Sequence, residues 1–216
     1  MKTPDEFVQD MITIDPETYG TTLFYPSGLD DEKQWTKFIK AVESVTRRSV
    51  ELKDYIKYLK EELDLDNCHF FKNMSIENGI DIELHHSPFT MYDICSIVAR
   101  KRIRLNESVT TFMVANEVVE AHYKNIIGLV PLSKTVHELV HSGKVFVPPT
   151  LVFGDITKFL KLYAKDISID MLDKLKSILT ITPDEANKIN RILNVNMKVN
   201  DYQLDDGELK TFLLTK

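Results

Sequence analysis

The sequence contains few of the residues on which several common kinds of functional site depend. Among its 216 residues there are only seven glycines, and neither glycine-rich phosphate-binding pattern, GxGxxG or GxxxxGK[ST], occurs. No apolar run approaches the roughly 18 residues that a membrane span needs, so we expect no membrane association. The two cysteines form no CxxC pair and cannot build a disulfide framework, which favours a reducing compartment.

The amino terminus and the charge distribution refine this picture. The first ten residues, MKTPDEFVQD, carry acids where a signal peptide carries lysines and an apolar stretch, so we expect an intracellular, cytoplasmic protein. The net charge is −6, and residues 1–66 account for it with 9 basic and 15 acidic side chains. Residues 67–150 are neutral, with 8 of each sign, and they contain all six histidines. Because histidine titrates near neutrality and is the commonest metal ligand, residues 67–150 are the first place to expect a functional site.

Apolar periodicity predicts helices over most of the chain. Residues 31–63 carry apolar side chains at spacings of three and four without a proline, which predicts one long amphipathic helix or two joined ones. Thr90 and Asp93 are spaced as a capping box, which predicts a helix from there to about residue 102. Further helices are predicted over residues 107–123, 133–140, 155–166, 169–180 and 183–193, whereas residues up to about 30 look irregular and residues 194–216 are ambiguous.

Three segments of the middle region predict strands. Residues 68–74 and 80–85 are predicted strands separated by the hairpin-type turn Glu77-Asn78-Gly79, and residues 80–85 alternate in polarity. The apolar stretch 125–132 predicts another short strand. The fold class that follows is α+β, mostly helical, with a small hairpin at its centre. The chain divides into an acidic helical region (1–66), a central region (67–150) and a carboxy-terminal helical region (151–216).

Four histidines form the pattern with the clearest chemical meaning. His85 and His86 end the second predicted strand, and His137 and His141 lie four residues apart on one face of a predicted helix. A strand end and a helix face together can offer three imidazoles to one divalent ion and leave a coordination position open. On their own, His137 and His141 are better explained as exposed or hydrogen-bonded histidines of a helix, and only together with His85 and His86 do they favour a metal site.

The order of these elements resembles the HNH, or ββα-metal, nucleases. The resemblance is carried by Ile82-Glu83-Leu84-His85-His86 and by the stretch from Gly128 to His141, GLVPLSKTVHELVH, and it covers residues 80–143. It implies that His85, His137 and His141 are ligands of Mg²⁺, Mn²⁺ or Zn²⁺. It also implies that His86 is the general base that activates water for cleavage of a DNA phosphodiester.

The sequence departs from that family at one catalytic position. The family's asparagine, nine residues before the first helix histidine, is Gly128 here, and Asn125 stands three residues too early to replace it. Ser133 and Val136 stand where many members have a pair of zinc-knuckle cysteines, so no second zinc site is implied. The sequence is therefore identified as a divergent member that lacks the family asparagine.

Two other patterns have alternative interpretations. The densest basic cluster, which could hold a DNA backbone or could instead complement the dipole of a helix carboxy terminus, consists of Arg100, Lys101, Arg102 and Arg104. His137-Glu138-Leu139-Val140-His141 also satisfies the HExxH pattern of zinc proteases. No histidine follows His141 to act as a third ligand, which argues against a protease.

Two functions follow as hypotheses. The first is a divalent-metal-dependent endonuclease of HNH type that acts on DNA. The second is a non-catalytic structural or assembly protein built on an HNH-like scaffold, with protein partners. The composition resembles that of tailed-phage proteins, which would place the protein in the host cytoplasm or in the virion.

Overall fold

The structure is a computed structural model that describes residues 31–71 and 73–194. It confirms the predicted α+β class: the described residues are mostly helical, with one two-stranded antiparallel sheet. None of the helices in these ranges is long and apolar enough to cross a membrane. The segments called irregular and ambiguous, up to residue 30 and from residue 195 onward, lie outside the described residues.

The first predicted helical stretch forms two helices, α1 (Glu32–Arg48) and α2 (Val50–Glu62). Ser49 separates them, because its backbone leaves the helical region while its Oγ accepts a hydrogen bond from the Leu52 N–H at 3.2 Å. A serine that caps the second helix satisfies one of the amide donors exposed by the break.

Two further helices, α3 (Met91–Arg104) and α4 (Thr111–Tyr123), complete the central helical layer. The predicted capping box is present, since Thr90 Oγ1 accepts from the Asp93 N–H and the Asp93 carboxylate accepts from the Thr90 N–H. Helices α1, α3 and α4 pack against one another. The larger apolar core that they enclose draws side chains from Phe38 to Leu175, and therefore from all three of the predicted regions.

A strand–strand–helix unit lies beside this helical layer. Strands β1 (Ile82–His86) and β2 (Leu129–Ser133) are antiparallel, and α5 (Lys134–His141) follows β2 without a loop. Ile82 is opposite Ser133 and His86 is opposite Leu129. A second, smaller apolar core lies under this unit and consists of Cys68, Phe70, Ile82, Val130, Leu132, Val136, Val145, Val147 and Leu193.

Residues 149–194 form mainly helices and 3₁₀ turns. Two hydrogen bonds connect the last of these segments to the chain beside the smaller core. The buried side chain of Asn190 accepts from the Phe146 N–H at 2.7 Å and donates to the Phe146 carbonyl at 2.9 Å. The elements are a 3₁₀ turn (Pro149–Leu151), α6 (Ile156–Tyr163), α7 (Ile169–Thr180), α8 (Pro183–Ile189) and a second 3₁₀ turn (Asn190–Leu193).

The predicted hairpin between residues 68–74 and 80–85 is wrong. Strand β1 pairs with β2, and the described residues between α2 and β1 form turns, with a single bridge between Asn67 and Ser75. The His69 N–H does donate to the carbonyl of Pro131 at 3.0 Å, on the edge of β2 away from β1. Because proline has no N–H to return, the ladder cannot extend along that edge.

Candidate metal centre

Three histidines converge where the end of β1 meets α5. One ring nitrogen from each of His85, His137 and His141 lies within 4.8 Å of the others. The Nε2 atoms of His137 and His141 are 3.0 Å apart, and the ring centroid of His85 lies 5.0 Å from each of the other two. This is the convergence that a metal site requires, and it joins His85 to a helix that begins at Lys134, far along the chain.

A carboxylate contacts the triad from β1. Glu83 Oε2 contacts Nδ1 of His137, and strand alternation places Glu83 on the same side of β1 as His85. Because a carboxylate accepts, Nδ1 carries the proton and the lone pair of neutral His137 is on Nε2, the nitrogen that faces His141. Glu138, the acid of the HExxH pattern, is exposed.

The surroundings favour the neutral, metal-binding form of two of these rings. Burial, with the charges of His137, His141 and Lys174, lowers the pKa of His85 to about 4. Burial also lowers the pKa of His137, although Glu83 opposes this effect. Imidazole binds a metal only when it is neutral, so these rings need not lose a proton near pH 7.

His86 is directed to the other side of β1, where it meets His122 rather than the triad. The two Nε2 atoms are 3.0 Å apart, and Nδ1 of His122 is 2.7 Å from the Val118 carbonyl. His122 must therefore donate through Nδ1 and accept at Nε2, so the proton between the two rings belongs to His86. Burial lowers the pKa of His122 to about 4 and that of His86 well below its usual range. The role of His86 as a general base stays a prediction.

Position 128 has no room for a side chain. A β-carbon built on Gly128 would lie 1.9 Å from the Ser87 carbonyl oxygen and 2.9 Å from Cγ1 of Val152. Asn125 is engaged elsewhere, because its Oδ1 accepts a hydrogen bond from the Tyr55 hydroxyl at 2.9 Å. The asparagine of the HNH pattern thus has no equivalent among these contacts.

The four cations of the basic cluster each have a partner within the chain. Lys101 and Arg102 both bind Glu117, at 2.7 and 2.9 Å. Arg104 makes a two-pronged pair with the buried carboxylate of Asp166, and the Arg100 guanidinium lies 5.0 Å above the Trp35 ring. These contacts give each cation a structural role, while the predicted role in binding nucleic acid stays a prediction.

Sequence reasoning missed two partners in this region. Glu83 contacts His137, and the signal for it was its position two residues before His85 on the same strand face. His122 is buried, and its pairing with His86 has no signal in sequence spacing. His69 lies outside the triad, and its Nδ1 is 2.7 Å from the Leu151 carbonyl.

Comparison with known proteins supplies one match. A family model described as "Bacteriophage G278-like virion protein" matches residues 5–205, which is most of the chain. No curated protein matches the sequence, and no solved structure matches the fold.

Proposed function

The chain belongs to the family of bacteriophage G278-like virion proteins, and from this premise we propose that it is a non-catalytic structural component of the virion. As a virion protein it assembles with other proteins of the particle. The proposal is that its strand–strand–helix unit is an HNH-like scaffold. In that scaffold His85, His137 and His141 hold a divalent ion that stabilises the fold.

The observation that carries the proposal is the arrangement around the histidine triad. The three candidate ligands converge, but the groups that would perform cleavage are arranged otherwise. His86 is hydrogen-bonded to His122 on the opposite side of β1. The space that a side chain at position 128 would need is taken by the Ser87 carbonyl oxygen. A metal centre without these groups supports structural stabilisation better than hydrolysis.

The ligand chemistry favours zinc among the three ions considered. All three candidate donors are imidazole nitrogens. Mg²⁺ prefers oxygen ligands and usually retains several waters, whereas Zn²⁺ readily accepts nitrogen. A structural ion that joins β1 to α5 would add its binding free energy to the stability of the folded state.

Metal analysis and thermal denaturation test this proposal. The purified chain is expected to bind one equivalent of Zn²⁺, and its Tm is expected to rise with zinc and fall with a chelator. A variant with His85→Ala and His141→Ala should lose both the zinc and the response of Tm. The matched control is His69→Ala, which removes a histidine outside the triad and should keep both. A wild-type chain that binds no zinc would overturn the proposal.

The second candidate is a metal-dependent nuclease that acts on DNA. The observation in its favour is that His141 is exposed, so one side of the triad faces solvent. Incubation of plasmid DNA with the protein and Mg²⁺, Mn²⁺ or Zn²⁺ distinguishes the two candidates. The structural proposal expects intact plasmid, whereas metal-dependent nicking that His86→Ala abolishes would establish the nuclease instead.

A further inference from the structure

We infer that Glu83 is a positioning residue of the zinc site, which holds His137 in the tautomer and orientation that direct its Nε2 toward the ion. This inference rests on the proposed metal site. It assigns a function to a carboxylate that would otherwise be only the acceptor of a partly exposed hydrogen bond from neutral His137.

The backbone places Glu83 within reach of His137. Glu83 is opposite Leu132 in the register of β1 and β2, and α5 begins at Lys134, two residues after Leu132. The sheet therefore fixes the distance between the carboxylate and the first turn of α5. A positioning group on a strand is more precise than one on a loop, because the ladder of hydrogen bonds limits its movement.

The contact determines which nitrogen of His137 is available. With Nδ1 donating to Glu83, the free lone pair is on Nε2, which lies 3.0 Å from Nε2 of His141. Two ligand nitrogens on a tetrahedral zinc ion, with bonds of about 2.0–2.1 Å, are separated by about 3.3 Å. The observed separation is close to this value, so His137 and His141 need only a small shift to share an ion.

Zinc affinity of Glu83 variants tests the inference. Glu83→Ala removes the acceptor, and Glu83→Gln keeps an acceptor oxygen but removes the charge. Loss of an outer carboxylate typically weakens metal binding by about 10–100-fold, which is the change expected for Glu83→Ala in a competition assay with a chelating dye. Glu83→Gln should lose less zinc affinity than Glu83→Ala, because it keeps an acceptor for His137 Nδ1. Glu138→Gln is the matched control, since Glu138 is an exposed neighbour of His137 that should not affect affinity.

Cobalt substitution adds a readout that a general loss of stability would not change. Co²⁺ bound to the wild-type chain is expected to show the visible absorption of a tetrahedral site, and Glu83→Ala should change the intensity or position of those bands. Circular dichroism at the assay temperature establishes that each variant is folded.

Two different failures are distinguishable. If the wild-type chain binds zinc but Glu83→Ala retains wild-type affinity and an unchanged cobalt spectrum, the positioning role is wrong while the metal site stands. If the wild-type chain binds neither metal, the site and the positioning role are both overturned.

Discussion

The backbone N–H of Ser87 donates a hydrogen bond to the carbonyl oxygen of Gly128 at 3.1 Å, so that the segments ending β1 and preceding β2 lie in close contact. The Ser87 carbonyl oxygen occupies the place where a β-carbon of residue 128 would be. The packing of these two segments therefore excludes the asparagine that the HNH resemblance would require at position 128.

Substitution of Gly128 should destabilise the protein without creating activity. Gly128→Asn forces backbone and Val152 apart, and overpacking of this kind is expected to lower the free energy of unfolding by about 3 kcal/mol. The control is Gly143→Asn: Gly143 has φ +69° and no atom near its virtual β-carbon, and asparagine tolerates that conformation at a cost of about 1 kcal/mol or less. Urea denaturation measures the free energy of unfolding of both variants. A stable Gly128→Asn variant that nicks plasmid DNA would contradict this account.

Removal of the Glu117 charge should cost more stability than removal of its exposed neighbour Glu107. Glu117 has a side chain only 13% exposed, and it binds Lys101, Arg102 and the Tyr163 hydroxyl. Glu117→Gln leaves two cations without their shared anion, which should lower the free energy of unfolding by about 1–3 kcal/mol.

Glu107→Gln is the matched control for that measurement. Its carboxylate lies 3.3 Å from Arg102 but is 42% exposed, so an effect of about 1 kcal/mol or less is expected. Urea denaturation at one fixed ionic strength compares the two variants. Equal effects would show that the partly buried ion pairs of Glu117 contribute no more to stability than the exposed pair of Glu107. A DNA-binding assay on the wild-type chain, with salt varied, tests the separate prediction that the cluster holds nucleic acid.

Acid should destabilise the protein through His122. Burial lowers its pKa to about 4 in the folded chain, whereas an unfolded chain has a value near 6.5, roughly the pKa of a model histidine. Because the folded state binds fewer protons between these values, the stabilising contribution is complete above about pH 6.5 and decreases as the pH falls toward about 4, by on the order of 3 kcal/mol.

Denaturation at pH 7, 6, 5 and 4 in zinc-free buffer measures this effect. His122→Gln cannot take up the proton, so its free energy of unfolding should depend less steeply on pH than that of the wild-type chain, whatever its stability at pH 7. His85 and His137, whose pKa values are also lowered, remain in both proteins and cancel in the comparison. His86 contacts His122 and has a lowered pKa as well, so the difference in slope reports the His86–His122 pair. Identical slopes would rule out His122 as an acid-sensitive group.

The elements that were predicted correctly are those determined by neighbouring residues. The helix predicted over 169–180 is α7, with the same limits, and the capping box at Thr90 and Asp93 is present because both of its hydrogen bonds span three residues. The long stretch 31–63 was correctly predicted to be helical, and Ser49 marks where it divides. Such features follow from periodicity and local hydrogen bonding.

The pairing of strands was not predictable in the same way. The turn residues before Ile80 suggested a hairpin, but β1 pairs with a strand that begins at Leu129. All five residues of β2 are buried, and its side chains belong to both apolar cores. This burial, rather than the nearest turn in the sequence, explains why β1 pairs with β2. Residues 68–74 do not add a third strand to the sheet, because Pro131 of β2 has no N–H with which to continue the ladder on that edge.

Some features of the candidate site likewise follow from local sequence, and others depend on tertiary packing. Local sequence determined that His137 and His141 share a helix face, since four residues make about one turn, and that adjacent His85 and His86 point to opposite sides of a strand. Only tertiary packing decided that His85 reaches the helix pair, that Glu83 contacts His137, that His86 is bound to His122 and that Gly128 lies against Ser87. These are contacts between segments distant in the chain, and their geometry depends on how two cores and a two-stranded sheet pack together.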